Sequence, residues 1–136
     1  MPLLVDIGTY LAAQGVGTQG TDLFRGSLPD APDLCMAVVP TGGLGSIMTM
    51  TATLAGLAPE RPRVQILTRS PVQDQPAGLA RAELAYGKLH NARFTGVSGI
   101  RYLLLEALQK PHVVGRDENN RHLFSFNVQV WKDPGA

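Results

Sequence analysis

The sequence predicts an α+β fold: a mixed, mainly antiparallel β-sheet, with an N-terminal helix and one main helix packed on one face. Three observations predict it. First, Phe124, Phe126, Val128 and Val130 alternate with Ser125, Asn127 and Gln129, a period of two that gives one core face and one face for water or a partner. Second, the run Ile100–Leu108 is apolar on both faces, with Tyr102, Leu104 and Leu108 on one and Leu103, Leu105 and Ala107 on the other. A strand of that kind is central and needs helical cover. Third, the apolar period lengthens to 3.6 after Asp74, placing Leu79, Ala82, Tyr86, Leu89 and Ala92 on one side.

Taken in chain order, residues 3–12 carry Leu3, Leu4, Ile7 and Leu11 at helical spacing, with Leu4, Ile7 and Leu11 as the anchors and Pro2 acceptable at a helix start. This helix ends before Gly15-Val16-Gly17. Asp22–Leu28 reads as a short strand, and Pro29-Asp30-Ala31-Pro32-Asp33 as a turn, since proline presets φ and aspartate bonds its own backbone. Leu34–Val39 follows as a strand closed by Pro40-Thr41-Gly42-Gly43, so the pair is expected to form a hairpin. Residues 41–60 have no clean period, although Ile47–Leu54 makes a strand in a suitable context. A connection of that length is long for a compact domain. It is either a surface loop or one ordered against a neighbour, where Met48 and Met50 would adapt to an irregular surface.

Arg61-Pro62-Arg63 opens the best internal strand, Val64–Thr68, stopped by Pro71. The main helix follows, with Asp74 as its N-cap and Pro76 in its first turn. Small Ala82, Ala85 and Ala92 let it lie close to the sheet. Phe94-Thr95-Gly96 leads through Gly99 into the C-terminal meander, where Pro111 ends the first run and Gly115–Asn120 separates it from His122–Trp131.

The 136 residues suffice for one domain spanning 1–136. Charged residues are 17%, below the roughly 25% usual for soluble domains, so part of the surface is expected to be covered in an assembly. The net charge of +1 provides no electrostatic footprint for nucleic acid, and Arg61, Arg63 and Arg69 do not make a basic stripe. No signal peptide is expected. No apolar run approaches the roughly 18 residues of a membrane span.

Chemistry finds little purchase in this sequence. His90, His112 and His122 are dispersed, without the Cys, Asp or second His that a metal site requires. The single Cys35 lies in an apolar strand and reads as a buried thiol. Gly42-Gly43-Leu44-Gly45-Ser46 looks like a phosphate loop but lacks the Lys-Ser/Thr and the helix that must follow. Asp117 and Glu118, beside Arg116 and Arg121, read as a solvated hairpin tip. No catalytic, metal or cofactor residues are assigned.

Three segments carry a resemblance: Arg61-Pro62-Arg63-Val64-Gln65-Ile66, Gly99-Ile100-Arg101-Tyr102-Leu103-Leu104, and Gln109 to Arg121, continuing into Phe124-Ser125-Phe126-Asn127-Val128. Asp22-Leu23-Phe24, the proline-rich turn and Gly42-Gly43 fit as well. From about Asp22 to Val130 the chain resembles the minor capsid or tail-terminator (head–tail joining) proteins of long-tailed bacteriophages. The apolar, threonine-rich stretch Leu44–Leu57 departs from that pattern.

The resemblance implies a non-catalytic virion protein that assembles in the host cytoplasm. It implies a homohexameric ring at the head-proximal end of the tail, in contact with the tail tube protein and a head completion or connector protein. DNA would pass through the lumen without sequence-specific contact, and no membrane is involved. The candidate subunit or tail interface is Met48, Met50, Leu54 and Leu57 in the loop, Arg61, Arg63 and Arg69 on the following strand, and Arg116, Asp117 and Glu118 at the hairpin tip. Alternatives are another ring-forming component, tube or stopper, and a small domain holding a ligand near Gly42–Ser46.

Overall fold

The computed structural model describes residues 2–44 and 59–133. These form helices α1 (Pro2–Ala13) and α2 (Gln75–Leu89) and strands β1 (Leu23–Arg25), β2 (Cys35–Leu44), β3 (Arg61–Arg69), β4 (Ala92–Thr95), β5 (Arg101–Ala107), β6 (His112–Arg116) and β7 (His122–Lys132). The sheet runs β1-β2-β3-β7-β5-β4, and β6 also pairs with β7. Every pairing is antiparallel except β1 with β2. The predicted α+β class and the two helices on one face are what the chain adopts.

β7 organises the sheet. Along one side it pairs with β3, from Leu123 opposite Arg69 to Gln129 opposite Arg63. Along the other, its first residues pair with β6 and its last with β5. β5 and β6 therefore form one interrupted strand against β7. Pro111 interrupts it without ending it, because the chain resumes the same ladder at His112. β6 is a strand that the expected stop at Pro111 left out.

The alternation in β7 sets the core face. Phe126, Val128 and Val130 point to the same side as Val64 and Ile66 of β3 and Met36 and Val38 of β2. α1 covers this face with Leu3, Ile7 and Leu11, and α2 with Ala85 and Leu89. Leu4, an expected anchor of α1, is only half-buried; its neighbour Leu3 takes the core position. Gly78 of α2 packs on Ser70 and Phe124 so closely that a side chain there would collide with Ser70. The small residues of α2 thus do what their spacing predicted, with Ala92 starting β4 rather than ending the helix. Asp74 stands at the N-cap position but makes no side-chain capping bond.

Three further expectations are overturned. β2 runs on to Leu44, although Pro40-Thr41-Gly42-Gly43 is expected to close it. Asp22–Leu28 and Leu34–Val39 do not form a hairpin, since β1 and β2 run parallel, with Leu23 opposite Met36. β1 has only three residues, a rise of about 10 Å, so the segment 26–34 is long enough to bring the chain back to its starting end. In β5, strict alternation separates Tyr102 from Leu105, yet both are in the core, 1% and 0% exposed. A register shift between Tyr102 and Leu104 inserts one extra residue opposite Lys132 and Trp131, and returns the following side chains to the core face.

Candidate assembly surface

The second face of the sheet has no described helix over it. By alternation it carries Cys35, Ala37, Val39 and Thr41 of β2, Arg63, Gln65, Leu67 and Arg69 of β3, and Leu123, Ser125, Asn127 and Gln129 of β7. Along β3 and β7 it carries a bonded polar network. Arg63 donates through Nε and Nη2 to Gln129 Oε1 at 3.2 and 2.9 Å, and Gln65 Nε2 donates to Ser125 Oγ at 2.8 Å. Gln129 Nε2 donates in turn to the carbonyls of Arg61 and Pro62, both at 3.0 Å. These bonds bury Ser125 and Gln129 to 2% and 4% exposure, although sequence alternation assigned their face to water or a partner. Where buried amide and hydroxyl groups satisfy one another, such a face is rigid without an apolar layer. The Arg61 guanidinium lies 5.7 Å from the centre of the Trp131 ring, a cation–π contact.

At the opposite end of β3 the β6–β7 turn is clasped. Arg121 is 5% exposed and reaches three carboxylates: Asp117 at 2.7 Å, Asp33 at 3.0 Å and Asp30 at 3.1 Å. It also donates to the Asp30 carbonyl at 2.6 Å. Arg69, 3% exposed, donates to the carbonyls of Pro32 and Asp33 at 2.6 and 3.1 Å. Arg121 ties the β1–β2 connection to the hairpin tip, and Arg69 ties it to the end of β3. Burial raises the Asp117 carboxyl, but bonds from the Arg121 backbone and side chain and from the Asn119 amide outweigh it and hold it below the usual carboxylate range. Desolvation works against the Arg121 charge, and its bonds to Asp33, Asp117 and Asp30 outweigh that in turn. Leu28, Pro29, Asp30, Arg69, Asp117, Glu118, Asn119 and Arg121 line a shallow groove of about 270 Å³ here. Cys35, nearby in sequence to this turn, is a buried thiol whose pKa burial pushes up, against the pull of Arg69 and Arg121.

These arrangements hold a shape. Among the described residues, no group of His, Cys, Asp and Glu could hold a metal ion. A family model for bacteriophage tail terminator proteins matches residues 10–133. The chain belongs to that family.

As a tail terminator, it is a structural virion protein of the head-proximal tail and not an enzyme. Among solved structures it is similar to a chain of the virion of a native gene transfer agent particle, with a TM-score of 0.64 at 15% identity, over 98% of this chain and 96% of that one. At that identity the likeness concerns the fold. No curated protein sequence matches the chain.

The terminator's sequence-predicted interface residues fall into separate groups. Met48, Met50, Leu54 and Leu57 lie outside the described residues. Arg61 and Arg63 are brought together with Gln129 and Trp131 on the helix-free face. Arg69, Asp117 and Glu118 meet at the groove, where Arg69 and Asp117 are engaged within the subunit and Glu118 is exposed. Arg116 is exposed and donates to Asn120 Oδ1 at 3.2 Å. The tip is therefore docked rather than solvated, because Arg121 is buried under carboxylates that arrive from the β1–β2 connection.

Sequence reasoning placed Arg121 at a solvated tip and Gln129 on an open face, and passed over the exposed strand β6. Arg121 bonds to residues some 90 positions away, so no local spacing announces it. β6 did carry a local signal, Val113-Val114 between polar residues, which Pro111 masked.

Proposed function

We propose that this tail terminator forms a closed homohexameric ring that caps the tail tube, ends tube polymerisation and offers the docking surface for the head completion or connector proteins. Membership of the terminator family over residues 10–133 carries this reading. A charge content of 17% supports it, since a chain buried on two sides by its neighbours needs little charged surface. A cyclic ring uses heterologous contacts, in which two different patches of each subunit meet. In this reading Met48, Met50, Leu54 and Leu57 line the subunit or tail contact, and Arg61, Arg63, Arg69, Arg116, Asp117 and Glu118 contribute polar contacts at its margins. DNA passes through the lumen without base-specific recognition.

The test is a deletion of the gene in its producing particle, combined with native mass measurement of the ring recovered from normal tails. The expected results are six copies per tail, and tails of uncontrolled length that fail to join heads when the chain is missing. Tubes built from the purified chain itself would assign it the tube role instead. A stoichiometry other than six would overturn the hexamer.

A further inference from the structure

At two diagonally opposite corners of the sheet a half-strand is paired along one edge and has no described strand along the other. On one side, β1 pairs only with Met36–Val38 of β2, so no described strand lies beside Thr41–Leu44, all of them exposed. On the other side, β4 pairs with β5 and leaves β6, whose partner is β7 alone. Exposed apolar side chains gather at these two corners: Leu44 is 49% exposed, Val113 48% and Val114 49%. Open edges of this kind are normally protected by charge, twist or cover.

The two edges match each other. β2 and β7 are both antiparallel to β3, and β6 is antiparallel to β7. β6 therefore runs opposite to β2, and placing two subunits side by side in the same orientation gives an antiparallel pair. The half-strands are also similar in length, four residues against five.

We propose that β6 of one subunit pairs with the Thr41–Leu44 half of β2 in the next copy of this chain, joining the sheets into a continuous ring. This names the subunit contact of the ring reading and rests on it. The corners are complementary: β1 covers the edge beside the first half of β2 and β4 the edge beside β5, so the halves that meet are the parts of β2 and of the β5–β6 line that no described strand covers. Arg61 and Arg63 pair with the outer half of β2 and Gln129 with Arg63, whereas β6 pairs with His122–Ser125. The joint thus shifts neighbours along the strands by roughly six residues, or about 20 Å. Each subunit advances the sheet by four strand spacings, about 19 Å. A shift and an advance of similar size close without helical rise when the strands tilt by about 45°, near the 35–45° of closed barrels.

Cysteine pairs test the joint in the tail-bound ring. A side chain at Gly42 meets nothing within contact distance, Val114 is half exposed, and the native Cys35 is buried. Under mild oxidation, combinations of Thr41→Cys or Gly42→Cys with Val113→Cys or Val114→Cys should give ladders of covalent multimers up to six chains, and the single variants should give none. Dimers from Val114→Cys alone would mean that β6 pairs with itself about a two-fold axis, which overturns the proposal. Absence of crosslinks in material that native mass identifies as a ring would overturn the strand joint and leave the ring reading standing. Failure to find any ring would overturn both. As an independent arm, Val113→Lys with Val114→Lys should abolish ring formation while the subunit keeps its melting temperature; normal rings from that variant would overturn the joint.

Discussion

Tyr102 of β5 donates a 2.6 Å hydrogen bond to Oδ2 of Asp6 in α1, and this buried pair fastens the N-terminal helix to the sheet. Ser98 completes the site, donating its Oγ to Oδ2 at 2.5 Å and its amide to Oδ1 at 3.0 Å. Asp6 is 1% exposed, so its carboxylate depends on these donors. Tyr102→Phe should cost about 1–3 kcal/mol in chemical denaturation, the penalty for a buried acceptor short of a donor. A loss below the error of measurement would mean that Ser98 alone satisfies the carboxylate.

The same pair makes an alkaline prediction. Burial, and then the bond to Asp6, raise the Tyr102 hydroxyl well above its ordinary value of 10.0. Unfolded chain releases this proton above about pH 10 while folded chain retains it. Stability is therefore fully present below pH 10 and falls as pH rises beyond it. Melting curves between pH 9 and 11 should show a steeper decline for the native chain than for Tyr102→Phe, and parallel declines would refute the assignment.

Gly96 lies against Asp6 so closely that any side chain there runs into the carboxylate. Gly96→Ala should displace the turn that carries Ser98 and destabilise the chain by about 1–3 kcal/mol. Gly42→Ala is the control, with open space around it and an expected change below about 0.5 kcal/mol. Equal effects would show that the turn accommodates the methyl group.

β7 allows the alternation to be tested directly. Phe126 is 0% exposed, and Phe126→Ala should cost about 3–5 kcal/mol. Alternation alone makes Ser125 an exposed residue whose removal is neutral, but it is 2% exposed and accepts from Gln65. Ser125→Ala should cost about 1–2 kcal/mol by leaving that amide unpaired. Ser125→Ala within about 0.5 kcal/mol of the native chain would mean that water replaces the bond.

These residues show which features of the fold were legible. Period two in β7 and period 3.6 in α2 placed Phe126, Ala82 and Leu89 in the core, because alternation is a local property of one strand or helix. The direction of β2 was not legible, since it depends on where the segment 26–34 docks. That docking is set by Arg69 and Arg121, which come from β3 and the β6–β7 turn. Similarly, the extra residue in β5 leaves no mark in its leucine run, where either face reads as apolar. Of the assembly surface, the arginines of β3 were visible as residues, but their partners Gln129 and Trp131 were not.

The clasp around Arg121 yields the last prediction. Asp117, Asp30 and Asp33 reach one guanidinium from two segments, and the fork of Arg121 presents Nε, Nη1 and Nη2 to one each. A lysine ammonium is a compact charge on a flexible stem and cannot reproduce that divergent geometry. Arg121→Lys should therefore release the tip and the 29–33 segment together, while α1, held by Tyr102 and Ser98, is unaffected. Amide exchange reads this out: Asn119 and Arg121, whose amides donate to Asp117, should exchange faster, and those of α1 should not. Acid should do the same to the native chain. The Asp117 carboxyl titrates below its ordinary value of 3.8 in the folded chain, so its contribution is present above that pH and is lost as pH falls through the depressed value. Protection at the tip, taken relative to the intrinsic exchange rate at each pH, should fall in that acid range for the native chain and be already low, with little further change, in Arg121→Lys. If the lysine variant protects the tip as well as arginine does, the clasp is a matter of charge alone and the fork geometry is irrelevant to it.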